Sequence, residues 1–252
     1  MFIRSSIITT RKIHDREIET PPESGVDPYR LARCFAEKLQ VRYWRDEFWV
    51  WQPTQYRYRR VTEQDLKARV AALLKQEIDA KSLTQGDHAA HVTVARVNNI
   101  LGALKGHVLV EGSLEMPLWL KGSGPQMLAF QNGLLAVDEA LGDVSTPSLQ
   151  PHSTDWFNDS VFPFAFDLKA AAPLWESFLD QVLEGDVERI AVIQELFGYC
   201  VIPGNSFHKF FLFEGQGANG KSVALKMLES MGSDAEGVYL HASQAHVNAY
   251  SR

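Results

Sequence analysis

Eight consecutive residues, Gly215-Gln216-Gly217-Ala218-Asn219-Gly220-Lys221-Ser222, constrain this chain more than any other segment. They satisfy G-x-x-x-x-G-K-[ST] at every fixed position. Four fixed positions coincide by chance in about one chain of this length in a hundred. The pattern has a physical reason. Glycines let the backbone curl with its N–H groups pointing inward, forming a concave nest for an anion. A helix starting at the end of the loop adds the positive end of its dipole. Lys221 is then the group expected to reach the β- and γ-phosphates of a nucleoside triphosphate, which gives it the catalytic role, and Ser222 the expected Mg²⁺ ligand. Gly215, Gln216, Gly217, Ala218, Asn219 and Gly220 line the loop. Such a loop sits between a strand and a helix. The apolar run over 208–213 is accordingly predicted as a short buried strand. The segment VALKMLESM is predicted as a helix, with Val223, Met227 and Ser230 or Met231 at helical spacing.

The residues before the loop follow a different plan. The first 26 form a polar arm ending soon after Pro21-Pro22. Asp27-Pro28 starts a helix, because Asp can cap and Pro suits the first helical position; Leu31, Phe35 and Leu39 make one face. The stretch VRYWRDEFWVWQPTQYRYRR is broken at Arg45-Asp46-Glu47 and Gln52-Pro53-Thr54-Gln55, and is predicted as a three-stranded antiparallel meander. Thr62-Glu63-Gln64-Asp65 resembles a capping box with Asp in place of Glu or Gln. The helix it opens aligns Leu66, Val70, Leu73, Leu74 and Ile78.

A further helix is predicted over 93–105, burying Val94, Val97, Leu101 and Leu104. Asn132-Gly133, between LAFQ and LLAV, signals a hairpin. Two more helices follow. One starts at Pro173 and buries Trp175, Phe178, Leu179 and Val182. The other is capped by Asp186 and turns Ile190, Ile193, Leu196, Phe197 and Cys200 inward. Pro203-Gly204-Asn205-Ser206 reads as a boundary. The expected class is therefore α+β: an arm over 1–26, a mainly helical domain with a small antiparallel meander over 27–205, and over 206–252 an incomplete α/β P-loop core.

Composition sets broad limits. Apolar residues make up 45% and charged residues 22%, as in soluble globular proteins. The sequence has no apolar run long enough to span a membrane, and its start is a poor signal peptide, so no membrane partner is expected. Cys34 and Cys200 make neither a disulfide framework nor a metal spacing, which points to a reducing cytoplasm. The net charge of −6 disfavours a chain that coats nucleic acid along its whole surface, while leaving room for a local basic track.

One such track is the stretch 42–60, where arginines alternate with Tyr43, Trp44, Phe48, Trp49, Trp51, Tyr56 and Tyr58. Rings that stack on bases and arginines that follow phosphates are the means of single-strand binding, with Arg57, Arg59 and Arg60 as the candidate contacts. A plainer account is favoured: the rings pack against neighbouring helices and the arginines are solvated. His88 and His91 have H-x-x-H spacing, but no third ligand lies near in sequence.

Several segments together carry a family resemblance: DPYRLARCFAEKL with VRYWRDEFWVWQ, the FQNGLL hairpin, PHS, the helix over 173–183, IQELFGYCVIP, and KFFLFEGQGANGKSV with Asn219 before Gly220. Over most of 27–245 the chain is similar to the helicase half of phage and plasmid primase-helicases, whose motor belongs to helicase superfamily three within the AAA+ class. The resemblance implies an ATP- and Mg²⁺-dependent replicative DNA helicase. It would work as a ring, usually a hexamer, on single-stranded DNA at a replication fork. Only 30 residues follow Ser222. Asp234 and Glu236 are poor candidates for the second acidic motif, and Arg252 is no convincing arginine finger. This chain alone is therefore expected to bind nucleotide without hydrolysing it. A non-catalytic remnant, acting as a DNA-binding or assembly module, is the alternative. A P-loop kinase fits less well, because its catalytic half would follow the loop.

Overall fold

The computed structural model describes residues 27–85, 91–142, 147–203, 211–215 and 219–232. The arm over 1–26 and the residues Gln216, Gly217 and Ala218 lie outside them, as do His88, the polar stretch with Asp234 and Glu236, and most of the expected boundary at 203–206. Within the described residues the chain is a mixture of helices and small antiparallel sheets, as the α+β expectation holds.

Helix α1 (Pro28–Leu39) begins as its sequence dictates. The Asp27 carboxylate accepts from the Tyr29 and Arg30 N–H groups at 3.0 and 3.2 Å, and Pro28 fills the first turn. Gln40, in the left-handed region at φ 47°, ends it and turns the chain into the meander β1 (Val41–Trp44), β2 (Glu47–Gln52) and β3 (Arg57–Val61). The strands pair in sequence order, Tyr43 opposite Phe48 and Trp51 opposite Tyr58. The turn residues Arg45 and Asp46 both have positive φ, the geometry that matches a two-residue hairpin to strand twist.

Thr62 caps α2 (Glu63–Gln85), its hydroxyl accepting from the Asp65 N–H at 3.0 Å. Asp is one methylene shorter than the usual Glu. Its carboxylate accepts a hydrogen bond from the Thr62 hydroxyl at 2.7 Å. Thr93 caps α3 (Val94–His107). Leu31 and Phe35 of α1, Leu66, Val70 and Leu74 of α2, and Ile100 and Leu104 of α3 form one core with Val41, Phe48 and Val50 from one face of the meander.

The opposite face of the meander is covered as well. Trp44 and Tyr58 pack with Phe157, and Trp49 and Trp51 close the cluster. Phe157 belongs to a two-residue strand pair, β4 (Leu118–Trp119) with β7 (Trp156–Phe157). Hydrogen bonds pin the layers together: the Tyr58 hydroxyl donates to the Thr154 carbonyl at 2.6 Å and its N–H to the Asn158 carbonyl at 2.7 Å. Burial pushes the Tyr58 phenol up to about 12. Aromatic packing on neighbouring layers is thus the arrangement found. Of the rings over 42–60 only Tyr43 and Phe48 face the helices; Trp44, Trp49, Trp51 and Tyr58 pack with Phe157 and the β4 side, and Tyr56 stacks on His152.

Between β4 and β7 in sequence lie the hairpin β5 (Met127–Phe130) and β6 (Gly133–Ala136) and the short α4 (Val137–Leu141). All eight hairpin residues are buried, with Met127, Ala129, Leu134 and Ala136 against Trp156 on one side and Leu128, Phe130 and Leu135 against Phe162 on the other. Burial on both sides explains why the sequence here is continuously apolar. At Gly133 φ is +152°, and a Cβ would stand 2.7 Å from the Gln150 carbonyl oxygen. The Asn132 carboxamide both donates to and accepts from the Phe166 backbone at 2.9 Å, tying FPFAF beside the hairpin.

Helices α5 (Pro173–Val182) and α6 (Val187–Val201) follow, the second capped by Asp186 as expected. Their inward faces are correct in direction but incompletely covered. Leu179 and Leu196 are buried, while Trp175, Phe178, Val182, Ile190, Ile193, Phe197 and Cys200 are half-buried. Trp175 stacks on Phe178 and tilts against Phe197, so this pair of helices holds itself together largely through its own aromatics.

Candidate functional site

The described part of the glycine loop consists of Gly215, Asn219, Gly220, Lys221 and Ser222. Helix α7 (Lys221–Gly232) starts where the pattern requires. The Gly220 carbonyl accepts from the Val223 and Ala224 N–H groups, both at 3.0 Å, which closes the first turn. Gly220 itself has φ +79°, a conformation open to glycine and costly for other residues.

Lys221 does not extend into solvent. Its Nζ donates to the Gly215 carbonyl at 2.8 Å and to Asn219 Oδ1 at 2.8 Å, joining the two described ends of the loop. Ser222 is exposed on the first turn of α7.

The loop rests on α5. A Cβ on Gly220 would lie 2.8 Å from Val182 Cγ1 and 2.9 Å from Phe178 Cζ. The expected helix is present, and this contact fixes which side of it turns inward. Ala224 is buried and Leu228 and Met231 are half-buried, whereas Val223 and Met227 are 53% and 41% exposed. Positions 220, 224, 228 and 231 share one helical face, so seating Gly220 on α5 carries the others with it.

The expected buried strand is corrected over its described part. Phe211, Leu212 and Phe213 are in no strand, and Leu212 is 80% exposed. A strand needs a neighbour to take its hydrogen bonds, and among the described residues none pairs with this run.

The arginine track is divided by the pleat. Arg57 and Arg59 do share a face, since they stand opposite Gln52 and Val50, while Arg60 stands opposite Trp49 on the other face. Arg57 is 5% exposed and its guanidinium donates to Gln55 Oε1 at 3.2 and 3.1 Å. Arg60 pairs with Glu47 at 2.8 Å, and Arg59 is exposed. The three do not form one patch. Tyr56, beside them, stacks on His152 with centroids 4.0 Å apart and planes 6° from parallel. Neither His152 ring nitrogen, both shielded from solvent, closes a hydrogen bond of ordinary geometry among the described residues. Loss of solvent holds this imidazole below its usual range, against a weaker opposing pull from the backbone of Gln131 and Phe130.

Sequence reading missed a cleft of about 40 Å³ between the β5–β6 hairpin and the end of α6, lined by Met127, Trp156, Asn158, Phe162 and Cys200 among others. It is far too small for a nucleotide. Among the described residues no cluster of His, Cys, Asp or Glu could hold a metal ion, and no helix is long and apolar enough to cross a membrane. Compared with known proteins, the chain matches no family model and no curated protein.

Proposed function

We propose that this chain supplies the ATP-binding loop of a replicative DNA helicase of the phage and plasmid primase-helicase kind. The observation that carries the reading is the complete glycine-lysine-serine pattern joined directly to the first turn of α7. A Cβ at Gly215 would meet Asn219 of the loop itself and one at Gly220 would meet Val182 and Phe178 of α5, so the path of the loop depends on glycine at both fixed positions. Lys221 would bind the phosphates as a point charge and Ser222 would hold Mg²⁺, while Gln216, Gly217, Ala218 and Asn219 complete the lining. The metal would neutralise charge on the triphosphate when bound. Binding is assigned to these residues; hydrolysis is not.

The wider reading, a hexameric ring acting on single-stranded DNA, rests on the family resemblance. One observation favours the alternative of a non-catalytic DNA-binding or assembly module: in the described run before the loop Phe211 and Leu212 are exposed, and Phe211 to Phe213 are in no strand. Titration of a fluorescent ATP analogue with Mg²⁺ tests the primary reading. Saturable binding abolished by Lys221→Ala supports it, and equal binding by the two chains refutes it. Light scattering with and without nucleotide then separates a ring-forming subunit from a module that ignores nucleotide.

A further inference from the structure

We propose that Asn219 is a positioning residue that holds the Lys221 ammonium inside the loop until a phosphate displaces it. The proposal rests on the phosphate-binding reading of the loop and concerns how that site is controlled. Three features of the geometry lead to it.

The ammonium is bound at both described ends of the loop, by the Gly215 carbonyl and by Asn219 Oδ1, each at 2.8 Å. The Asn219 carboxamide in turn lies flush against the Gly215 α-carbon. A methyl group added there would come within 2.2 Å of Asn219 Nδ2, and within 3.5 Å of Lys221 Nζ. The first glycine of the pattern therefore leaves room for a neighbouring side chain of the same loop, in addition to leaving room for a ligand. Only a residue without Cβ permits the carboxamide to stand where it can reach the lysine.

The chemistry of the group at 219 sets how firmly the lysine is held. A carboxamide oxygen accepts a proton from an ammonium without cancelling its charge. A phosphate oxygen carries negative charge and makes the stronger, charge-assisted bond, so it can take the lysine from Asn219. A carboxylate in the same place would neutralise Lys221 and compete with the incoming anion on nearly equal terms. An apolar side chain would remove one of the ammonium's acceptors and leave it less firmly directed across the loop. Asparagine gives an intermediate grip: it directs Lys221 across the loop and surrenders it to a ligand of full charge.

Amine acetylation read by peptide mass spectrometry tests this on the full chain, with exposed Lys226 of the same helix as internal reference. Asn219→Ala should raise the labelling of Lys221 relative to Lys226 by about threefold, the scale of one lost, partly solvated charged contact. Gly215→Ala should act in the same direction, because its methyl group pushes the carboxamide aside. Asn219→Asp should lower the labelling and require several-fold more ATP·Mg²⁺ to protect Lys221. Unchanged Lys221 labelling in both Asn219→Ala and Gly215→Ala would overturn the proposal, as would an Asn219→Asp chain protected by ATP as readily as the native one. Absence of ATP protection in every variant, with the labelling differences intact, would instead sink the nucleotide-binding reading and leave the Asn219–Lys221 tether standing.

Discussion

The Phe178 ring stands over Gly220, close enough that a Cβ at Gly220 would meet Phe178 Cζ at 2.9 Å. The loop that carries the candidate chemistry is thereby seated on a helix that precedes it by some forty residues in sequence. Gly220→Ala would strain the loop twice, through φ +79° and through this contact. The φ term alone costs about 1–2 kcal/mol. The expected outcome is loss of ATP-analogue binding with a modest fall in the denaturation midpoint. Phe178→Ala opens space beneath the same glycine and should restore binding partly in the double variant; a double variant no better than Gly220→Ala would show that the two residues are not coupled.

Phe157 is the centre of the layer on the far side of the meander. It is fully buried, with ring centroids 4.9 Å from Tyr58 and 5.9 Å from Trp44. Phe157→Ala should cost about 3–5 kcal/mol in chemical denaturation, the range for a buried aromatic truncated in a well-packed core. A cost under about 1 kcal/mol would mean that this layer collapses around the gap.

The arginines of β3 should separate by role. Arg57, buried against Gln55, contributes to stability. Its replacement by Ala should lower stability by about 1–3 kcal/mol, since it leaves the polar groups around it without their donor. Arg59→Ala with Arg60→Ala should leave single-stranded DNA affinity and its salt dependence unchanged, because the two point to opposite faces and Arg60 is already paired with Glu47. A weaker affinity with a shallower salt slope in that double variant would instead make them phosphate contacts.

His152 should give the fold a pH dependence of known sign. Its imidazole is held below the ordinary 6.5, so the folded chain favours the neutral ring. That preference contributes stability fully above the unfolded value and loses it as pH falls below about 6.5 toward the folded one. Denaturation midpoints from pH 8 to pH 5 should therefore decline more steeply in the native chain than in His152→Phe, which keeps the stack on Tyr56. Parallel curves would show that the ring titrates as it does in the unfolded chain.

Local signals were the ones the sequence made legible. Asp27, Thr62 and Asp186 announce their helices because a cap is a contact between residues two or three apart, and Asn132-Gly133 announces a hairpin for the same reason. What escaped depends on distant partners. The pairing of Leu118-Trp119 with Trp156-Phe157 has only two residues on each side and so leaves no periodicity to detect. The buried face of α7 could not be chosen before Gly220 was seen against α5, because Val223, Ala224, Met227 and Leu228 offer two apolar stripes one residue apart. At the candidate site the pattern announced Lys221, but the side chain holding it, Asn219, was assigned only as lining. A hydrogen bond between two side chains of one loop has no sequence signature beyond proximity.

The meander carries packed side chains on both of its faces, Phe48 and Val50 toward the helices and Trp49 and Trp51 toward Phe157. It serves as a party wall between two cores. Neither core can lose its packing while the other keeps a whole surface to rest on, so heat or denaturant should melt the segments from α1 to β7 in one cooperative transition, with tryptophan fluorescence and far-ultraviolet dichroism reporting the same midpoint.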